Sequence, residues 1–341
     1  MAGFERIKDQ SLPIRLLTTF LRKGIVPHAL LFTGMEGVGK KSTARLFAMA
    51  CNCQAPASVA TVDNNRLSGF PENPCGQCKA CRKIASNTHP DVIWIKPEPV
   101  LIRISQVREL NKNLALKPYE ARYRVVVMSD AQSLNPEAAN AFLKMLEEPP
   151  DKTLLILTAE RASDLLPTIV SRCQRIRFNP LSTDSLSSML VDQNRLDPVV
   201  AAVVAEAAAG SYGRARAFVK DKRWMDKRNW LINQLETISV QPVENILATA
   251  SRLSKKKDTV AEMLAIATCW LRDIAVYRFA PDNIINKDLA ARVCAVSQNS
   301  PLNSLLDQID AVQEAQKKLK ANTNLRLTLE GLLLKLAALA A

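Results

Sequence analysis

The sequence has no apolar run long enough to cross a bilayer as a helix, which takes about 18 or more residues. Its first ten residues, MAGFERIKDQ, carry charges where a secretory signal needs an apolar core. Together these two absences point to a cytoplasmic protein. Glycine is scarce, 10 among 341 residues, and aromatics make up 5%; with many Leu, Ala and Lys, this favours helices over a β-sandwich. Eight cysteines are too sparse for a disulfide scaffold, so in a reducing compartment a cluster of them reads as a metal site.

What is present describes a folded chain: 48% hydrophobic and 23% charged residues exclude a mainly disordered or fibrous protein. Single cores stop growing at roughly 250–300 residues, so two or three domains are expected. There are 46 Lys plus Arg against 33 Asp plus Glu, a formal charge of +13. That excess fits a polyanion partner, and fits equally an ordinary lysine-rich surface. It is uneven: residues 1–180 hold 25 basic and 16 acidic side chains, and residues 181–341 hold 21 and 17.

Short apolar runs at Ala29 to Phe32, Val92 to Ile95, Val125 to Met128 and Leu154 to Leu157 are bounded by polar or turn residues. Helix-like stretches separate them, a pattern that predicts buried parallel strands with crossover helices. After Phe178-Asn179-Pro180 such runs stop. Segments such as Leu302 to Ala321 and Leu325 to Ala340 take over with 3.6-residue periodicity, so the second half is expected to be helical. Gln54 to Pro74 reads as a loop insertion, and an internal boundary is placed just after Gly213-Arg214-Ala215.

Leu30-Leu31-Phe32-Thr33 leads into Gly34-Met35-Glu36-Gly37-Val38-Gly39-Lys40 and then a helical stretch, Ser42 to Ala50. This is the layout of a phosphate-binding P-loop, in which backbone N–H groups and a helix N-terminus cradle phosphate oxygens and the lysine meets the β and γ phosphates. A working motif then needs Ser or Thr to hold Mg²⁺. Here Lys41 stands in that place and Ser42 comes one residue late. The second acidic strand end is altered too: Val125 to Met128 runs through Ser129 to Asp130, but Ala131 follows where a hydrolysing site carries Glu. Nucleotide hydrolysis is therefore not expected, while ATP or ADP binding through Gly34, Gly37, Gly39 and Lys40 stays open.

Cys75, Cys78 and Cys81 place three thiols within seven residues. Four thiolates make the usual closed, structural zinc centre. The fourth is Cys53, at the end of the P-loop helix, or Cys51 two residues before it. Reactive or buried thiols without metal are the alternative. Cys173, Cys269 and Cys294 stand alone and read as core residues. Arg172, in Thr168-Ile169-Val170-Ser171-Arg172-Cys173, lies on a loop after the fourth strand-like run. Taken alone, such an arginine is a surface residue or a phosphate contact. At the edge of a P-loop domain it can also be a finger that donates its planar fork to a neighbour's γ-phosphate.

The combination resembles the clamp-loader branch of the AAA+ superfamily. The resemblance rests on His28 to Phe32 before the P-loop, the three-cysteine cluster followed by Thr88-His89-Pro90-Asp91, and Ile102-Arg103-Ile104-Ser105-Gln106-Val107-Arg108-Glu109-Leu110. It continues through Asn135-Pro136-Glu137 to Leu146-Glu147-Glu148-Pro149-Pro150 and Ser171-Arg172-Cys173. It covers residues 1 to about 220; the C-terminal third matches in length and helical character.

The resemblance implies a RecA-like α/β P-loop (AAA+) domain over 1–178 with a zinc knuckle inserted at about 51–83. It also implies a small helical lid over 179–222 and an all-α collar for oligomerisation over 223–341. Carried over by motif position, Cys53, Cys75, Cys78 and Cys81 hold a structural Zn²⁺, and Arg172 is an arginine finger acting in trans. Gly34, Gly37, Gly39, Lys40, Ser42, Asp130 and Arg214 form a degenerate nucleotide site, with Arg214 in the second-sensor position. The first-sensor Thr is displaced, with Thr158 or Ala159 at that point.

Motor subunits of the family retain Lys-Thr or Lys-Ser and an Asp-Glu pair, so this chain is expected to be a non-hydrolysing stator of the replicative polymerase holoenzyme, a nucleotidyltransferase. Its implied partners are gamma/tau and delta clamp-loader subunits, the sliding clamp and primed DNA, the last held through backbone phosphates. Two rival readings remain: a gamma/tau-like ATP-hydrolysing motor in which Ser42 replaces the missing Mg²⁺ ligand, and an independent zinc-bearing nucleic-acid-binding module.

Overall fold

A computed structural model describes residues 3–55, 70–221, 223–255, 257–320 and 323–340. Most of the expected loop insertion, 56–69, lies outside them. The chain divides into two compact units, one of Met1–Ser185 with Gly210–Arg214 and one of Leu186–Ala209 with Ala215–Ala341.

The first unit is built from α1 (Ser11–Lys23), β1 (Ala29–Thr33), α2 (Lys40–Asn52), α3 (Lys79–Ala85), β2 (Val92–Ile95) and α4 (Ile104–Ala115). It continues with β3 (Arg124–Met128), α5 (Pro136–Glu147), β4 (Thr153–Ala159), α6 (Pro167–Val170) and β5 (Gln174–Arg177). The five strands pair in the order β2-β3-β4-β1-β5, parallel throughout. Every residue of β1, β3 and β4 is buried, as central strands covered on both faces require. On one face Ala29, Leu31, Val126, Met128, Leu155 and Leu157 pack with Val107 and Leu110 of α4 and Phe142 and Met145 of α5. On the other, α2 packs on β3 and β4, with α1 and α3 against α2.

All four expected strands form, and β4 extends at both ends because Thr153, Thr158 and Ala159 are as buried as its apolar middle. The fifth strand was not expected. In Gln174-Arg175-Ile176-Arg177 only Ile176 is buried, so the segment lacks the apolar run that marks its neighbours. Among the described residues no strand follows it.

Local chemistry fixes the helix ends that bear on the site. Asn135 accepts the Ala138 N–H at 2.9 Å as an N-cap, with Pro136 in the first helical position of α5. Gln106, in the first turn of α4, accepts the Arg103 N–H at 3.0 Å and donates to the Lys96 carbonyl at 3.0 Å.

The second unit carries the helices that follow: α7 (Thr183–Asn194), α8 (Pro198–Ala207), α9 (Tyr212–Lys220), α10 (Trp224–Glu236), α11 (Val243–Ser254) and α12 (Lys257–Tyr277). The last three are α13 (Ala290–Asn299), α14 (Leu302–Lys320) and α15 (Leu325–Ala340); α7 and α9 begin in the first unit. Leu231, Ile232, Trp270, Ile274, Val312, Leu329 and Leu336 belong to one core. Phe218 stacks on Trp224 with ring centroids 4.5 Å apart. Buried Arg228 donates to Asn286 and to both carboxylate oxygens of Asp288, while buried Asp273 accepts the Ile285 and Asn286 amides.

In the first unit Asp91 plays a comparable part. Its buried carboxylate accepts the N–H groups of Tyr119, Glu120 and Ala121 at 2.8–2.9 Å, and Arg124 Nε lies 3.8 Å away. Burial alone raises the pKa of such a group; the three amides and the Arg124 charge outweigh it and hold the carboxyl below its ordinary value of 3.8. The stability this provides is present above that value and is lost as pH falls through the lower, folded one. Asp91→Ala, which leaves three amides without an acceptor and Arg124 without its counter-charge, is expected to cost about 3 kcal/mol in urea unfolding. Asp91→Asn should flatten the acid limb of the stability curve below about pH 4.

Candidate functional site

Parallel strands deliver their carboxyl ends to one edge of the sheet, where open α/β folds place ligands. β1 ends at Thr33 and passes into Gly34, whose φ of +146° and close fit leave no room for a side chain: a Cβ there would lie 2.5 Å from the Phe178 carbonyl oxygen. Gly37 and Gly39 also take positive φ, +80° and +102°, and complete the turn into α2. The phosphate-loop backbone that the glycine spacing predicts is therefore present.

Both of its lysines are engaged within the chain. Lys40, 6% exposed, curls back so that Nζ donates to the carbonyls of Gly34 and of Met35, the latter at 2.8 Å. Burial lowers its pKa, with Asp130 and Glu160 opposing the shift and Lys41 adding to it. Lys41 is exposed, and its Nζ pairs with Asp130 Oδ2 at 2.8 Å. Asp130 sits just beyond β3 in the left-handed region, φ +55°, a conformation Asp tolerates. Its N–H donates to Thr158 Oγ1 of β4 at 3.1 Å. Ser42 is exposed in the first turn of α2 and Ala131 is buried. The ammonium of Lys41 thus pairs with the carboxylate that stands just beyond β3.

The segment Gly210–Arg214 closes over the loop. Gly213 N–H donates to the Gly37 carbonyl at 3.3 Å, and a Cβ at Gly37 would lie 2.7 Å from Gly213 N. Buried Ser211 accepts the Arg214 N–H through Oγ at 3.1 Å, and the Arg214 side chain is exposed. Gly34, Gly37, Gly39, Lys40, Asp130 and the Arg214 backbone are thus brought to one place, with Ser42 exposed on the adjoining helix turn.

A separate cluster forms beside α3. The sulfurs of Cys53, Cys75, Cys78 and Cys81 all lie within 4.8 Å of one another, with Cys75 and Cys81 4.0 Å apart. Zn–S bonds of about 2.3 Å in a tetrahedron put sulfurs about 3.8 Å apart, so the set fits a closed zinc centre. Backbone N–H groups point at the sulfurs: Gln77 and Cys78 donate to Cys75, Cys81 to Cys78, and Cys75 to Cys53, all at 3.3–3.4 Å. At Cys78 burial raises the pKa, but the amides of Cys81 and Gln54 and the neighbouring thiols bring it down to about 6. Cys51 is instead wholly buried in α2, its thiol pushed up to about 12 by desolvation. The geometry selects Cys53 over Cys51.

Arg172 follows α6. Its Nη1 donates to the Thr168 carbonyl at 3.0 Å and its Nη2 pairs with Glu147 Oε1 at 2.7 Å. The Lys41–Asp130 and Arg172–Glu147 pairs were not anticipated from sequence. Charge complementarity at two adjacent motif positions was the available signal for the first; the second has none.

A parallel sheet with a phosphate-loop turn, a four-cysteine cluster and a following helical region define a P-loop α/β module joined to a helical C-terminal part. Family models sharpen this: one described as DNA polymerase III, delta subunit matches residues 9–182, and one for the C-terminal part of that subunit matches 222–338. The chain belongs to the DNA polymerase III delta subunit family. It is 28% identical to DNA polymerase III subunit delta' of Bacillus subtilis over 95% of this chain and 94% of that one. It is 39% identical to the delta' subunit of Pseudomonas aeruginosa over 43% of this chain and 41% of that protein. The tau subunit of Bacillus subtilis is 25% identical across 98% of this chain and 61% of its own length.

Metal analysis of the purified protein tests the cysteine cluster. About one zinc per chain is expected, retained in Cys51→Ser and lost in Cys78→Ser.

Proposed function

We propose that this chain is a non-hydrolysing stator subunit of the DNA polymerase III clamp loader. It assembles with gamma/tau and delta subunits, presents Arg172 to the ATP of the adjacent gamma/tau subunit, and helps place the sliding clamp on primed DNA. The observation that carries the reading is Lys41 Nζ at 2.8 Å from Asp130 Oδ2. A metal-dependent hydrolase needs a hydroxyl and a carboxylate free for Mg²⁺. This site offers an ammonium in place of the hydroxyl and engages the carboxylate with it, and buried Ala131 stands where a base would be.

The rest of the reading follows from that loss. A subunit that does not turn over its own nucleotide contributes by shape and by what it offers a neighbour. Arg172, 37% exposed and always charged, is such an offer. The three-part division into 1–178, 179–222 and 223–341 belongs to the same proposal, with the last segment as oligomerising collar. Cys53, Cys75, Cys78 and Cys81 hold zinc as a structural clip that ties the end of α2 to α3, with no open position for chemistry. The excess of positive charge serves the complex as a whole around the DNA backbone, without sequence reading.

Reconstitution with gamma/tau and delta tests this. The chain alone should not hydrolyse ATP, and Arg172→Ala should assemble normally while DNA-stimulated turnover of the complex falls. A finger is worth about 10³–10⁵ in turnover at its own site in P-loop GTPases, diluted here by any other working sites. ATP hydrolysis by the chain alone, abolished by Lys40→Ala, would identify a motor. Tight DNA binding alone without a gamma/tau complex would identify an independent nucleic-acid module.

A further inference from the structure

Arg172 is anchored through two different nitrogens. Nη1 donates to the Thr168 carbonyl at 3.0 Å, with Ser171 Oγ at a marginal 3.5 Å, and Nη2 meets Glu147 Oε1 at 2.7 Å. Glu147 is the last residue of α5, and Arg172 comes two residues after α6 ends. Those helices pack together, and Ile169 of α6 shares a core with Phe142, Met145 and Leu146 of α5. Buried apolar contact therefore fixes where the two side chains start. The ion pair itself leaves 37% of the arginine and 49% of the glutamate exposed, a setting in which such pairs contribute little to stability.

Its contribution is orientation. A guanidinium carries five N–H donors in a rigid plane. Two anchors on different nitrogens fix that plane and leave three donors, the Nε–H and one on each Nη, for an acceptor supplied from outside. A free arginine would have to give up its rotamer freedom on meeting a phosphate; this one has given up much of it in advance.

We propose that Glu147 is the positioning residue of Arg172, its carboxylate holding the guanidinium in the orientation offered to the adjacent subunit's γ-phosphate. The proposal rests on the finger reading above. A group that acts by aligning a donor for the transition state alters turnover rather than nucleotide affinity. A carboxylate that merely occupied the finger at rest would have the opposite sign: its removal would raise turnover.

The test is steady-state ATPase of the full complex with gamma/tau and delta. It is run on the unaltered chain, Glu147→Ala, Glu147→Asp, Arg172→Ala and the Glu147→Ala/Arg172→Ala double variant, at equal incorporation by gel filtration. Glu147→Ala should lower kcat roughly three- to tenfold with the KM for ATP within about twofold. Glu147→Asp should recover part of the loss, and Glu147→Ala should cost nothing further once Arg172 is alanine. Glu147→Gln, of the same shape, gives the same reading should alanine disturb α5. An unchanged or raised kcat in Glu147→Ala beside a loss in Arg172→Ala would overturn the positioning role alone, as would an equal loss from Glu147→Ala in the Arg172→Ala background. A flat response to Arg172→Ala would overturn the finger and the positioning role together.

Discussion

The ion pair between Lys41 and Asp130 ties the start of the helix after the phosphate loop to the end of a central strand, and the proposed function rests on it. It joins residues 89 positions apart, one in the first turn of α2 and the other just beyond β3, at the edge to which the parallel sheet delivers its motifs. As an exposed pair it contributes little to stability, about 0–1 kcal/mol. Its weight is chemical. Two neighbouring lysines divide the work: Lys40 is folded onto carbonyl groups of its own loop, and Lys41 supplies Asp130 with its counter-charge. The loop keeps the geometry of its class while its electrostatics are satisfied from within the chain.

Many of the residues that carry the family likeness turn out to be scaffold. Asp91 gathers three consecutive amides and faces Arg124; Asn135 and Pro136 begin α5; Gln106 ties the start of α4 to the chain after β2. These contacts fix the strands and helices that aim the edge of the sheet. Recognition of the family from sequence therefore draws on its mechanical parts.

The central strands β1 and β3 were legible because burial on both faces demands unbroken apolar runs, and the edge strand β2 was legible because Val92-Ile93-Trp94-Ile95 is apolar throughout although its middle is only half-buried. The ends of β4 were not, since Thr153 and Thr158 are polar in composition though buried in place. β5 escaped notice because an edge position asks for one inward side chain, Ile176, and leaves the rest to solvent. The cysteine cluster was readable from spacing up to its fourth member, the family resemblance pointed to Cys53, and the structure bears that choice out by grouping Cys53 with the other three sulfurs and burying Cys51 in α2. Long-range pairs such as Glu147 with Arg172 depend on how α5 and α6 stack, and no local pattern encodes that.

The arginines of β5 bear on how this sheet meets another like it. An open strand edge is a template on which any similar strand can add, and sequence-related neighbours are the most dangerous candidates. β5 ends the sheet with Arg175 and Arg177 exposed on either side of its single buried residue. A second such strand brought alongside would set like charges against each other. The sheet is thereby discouraged from polymerising with its own kind, and association is left to surfaces that do not continue its hydrogen bonding.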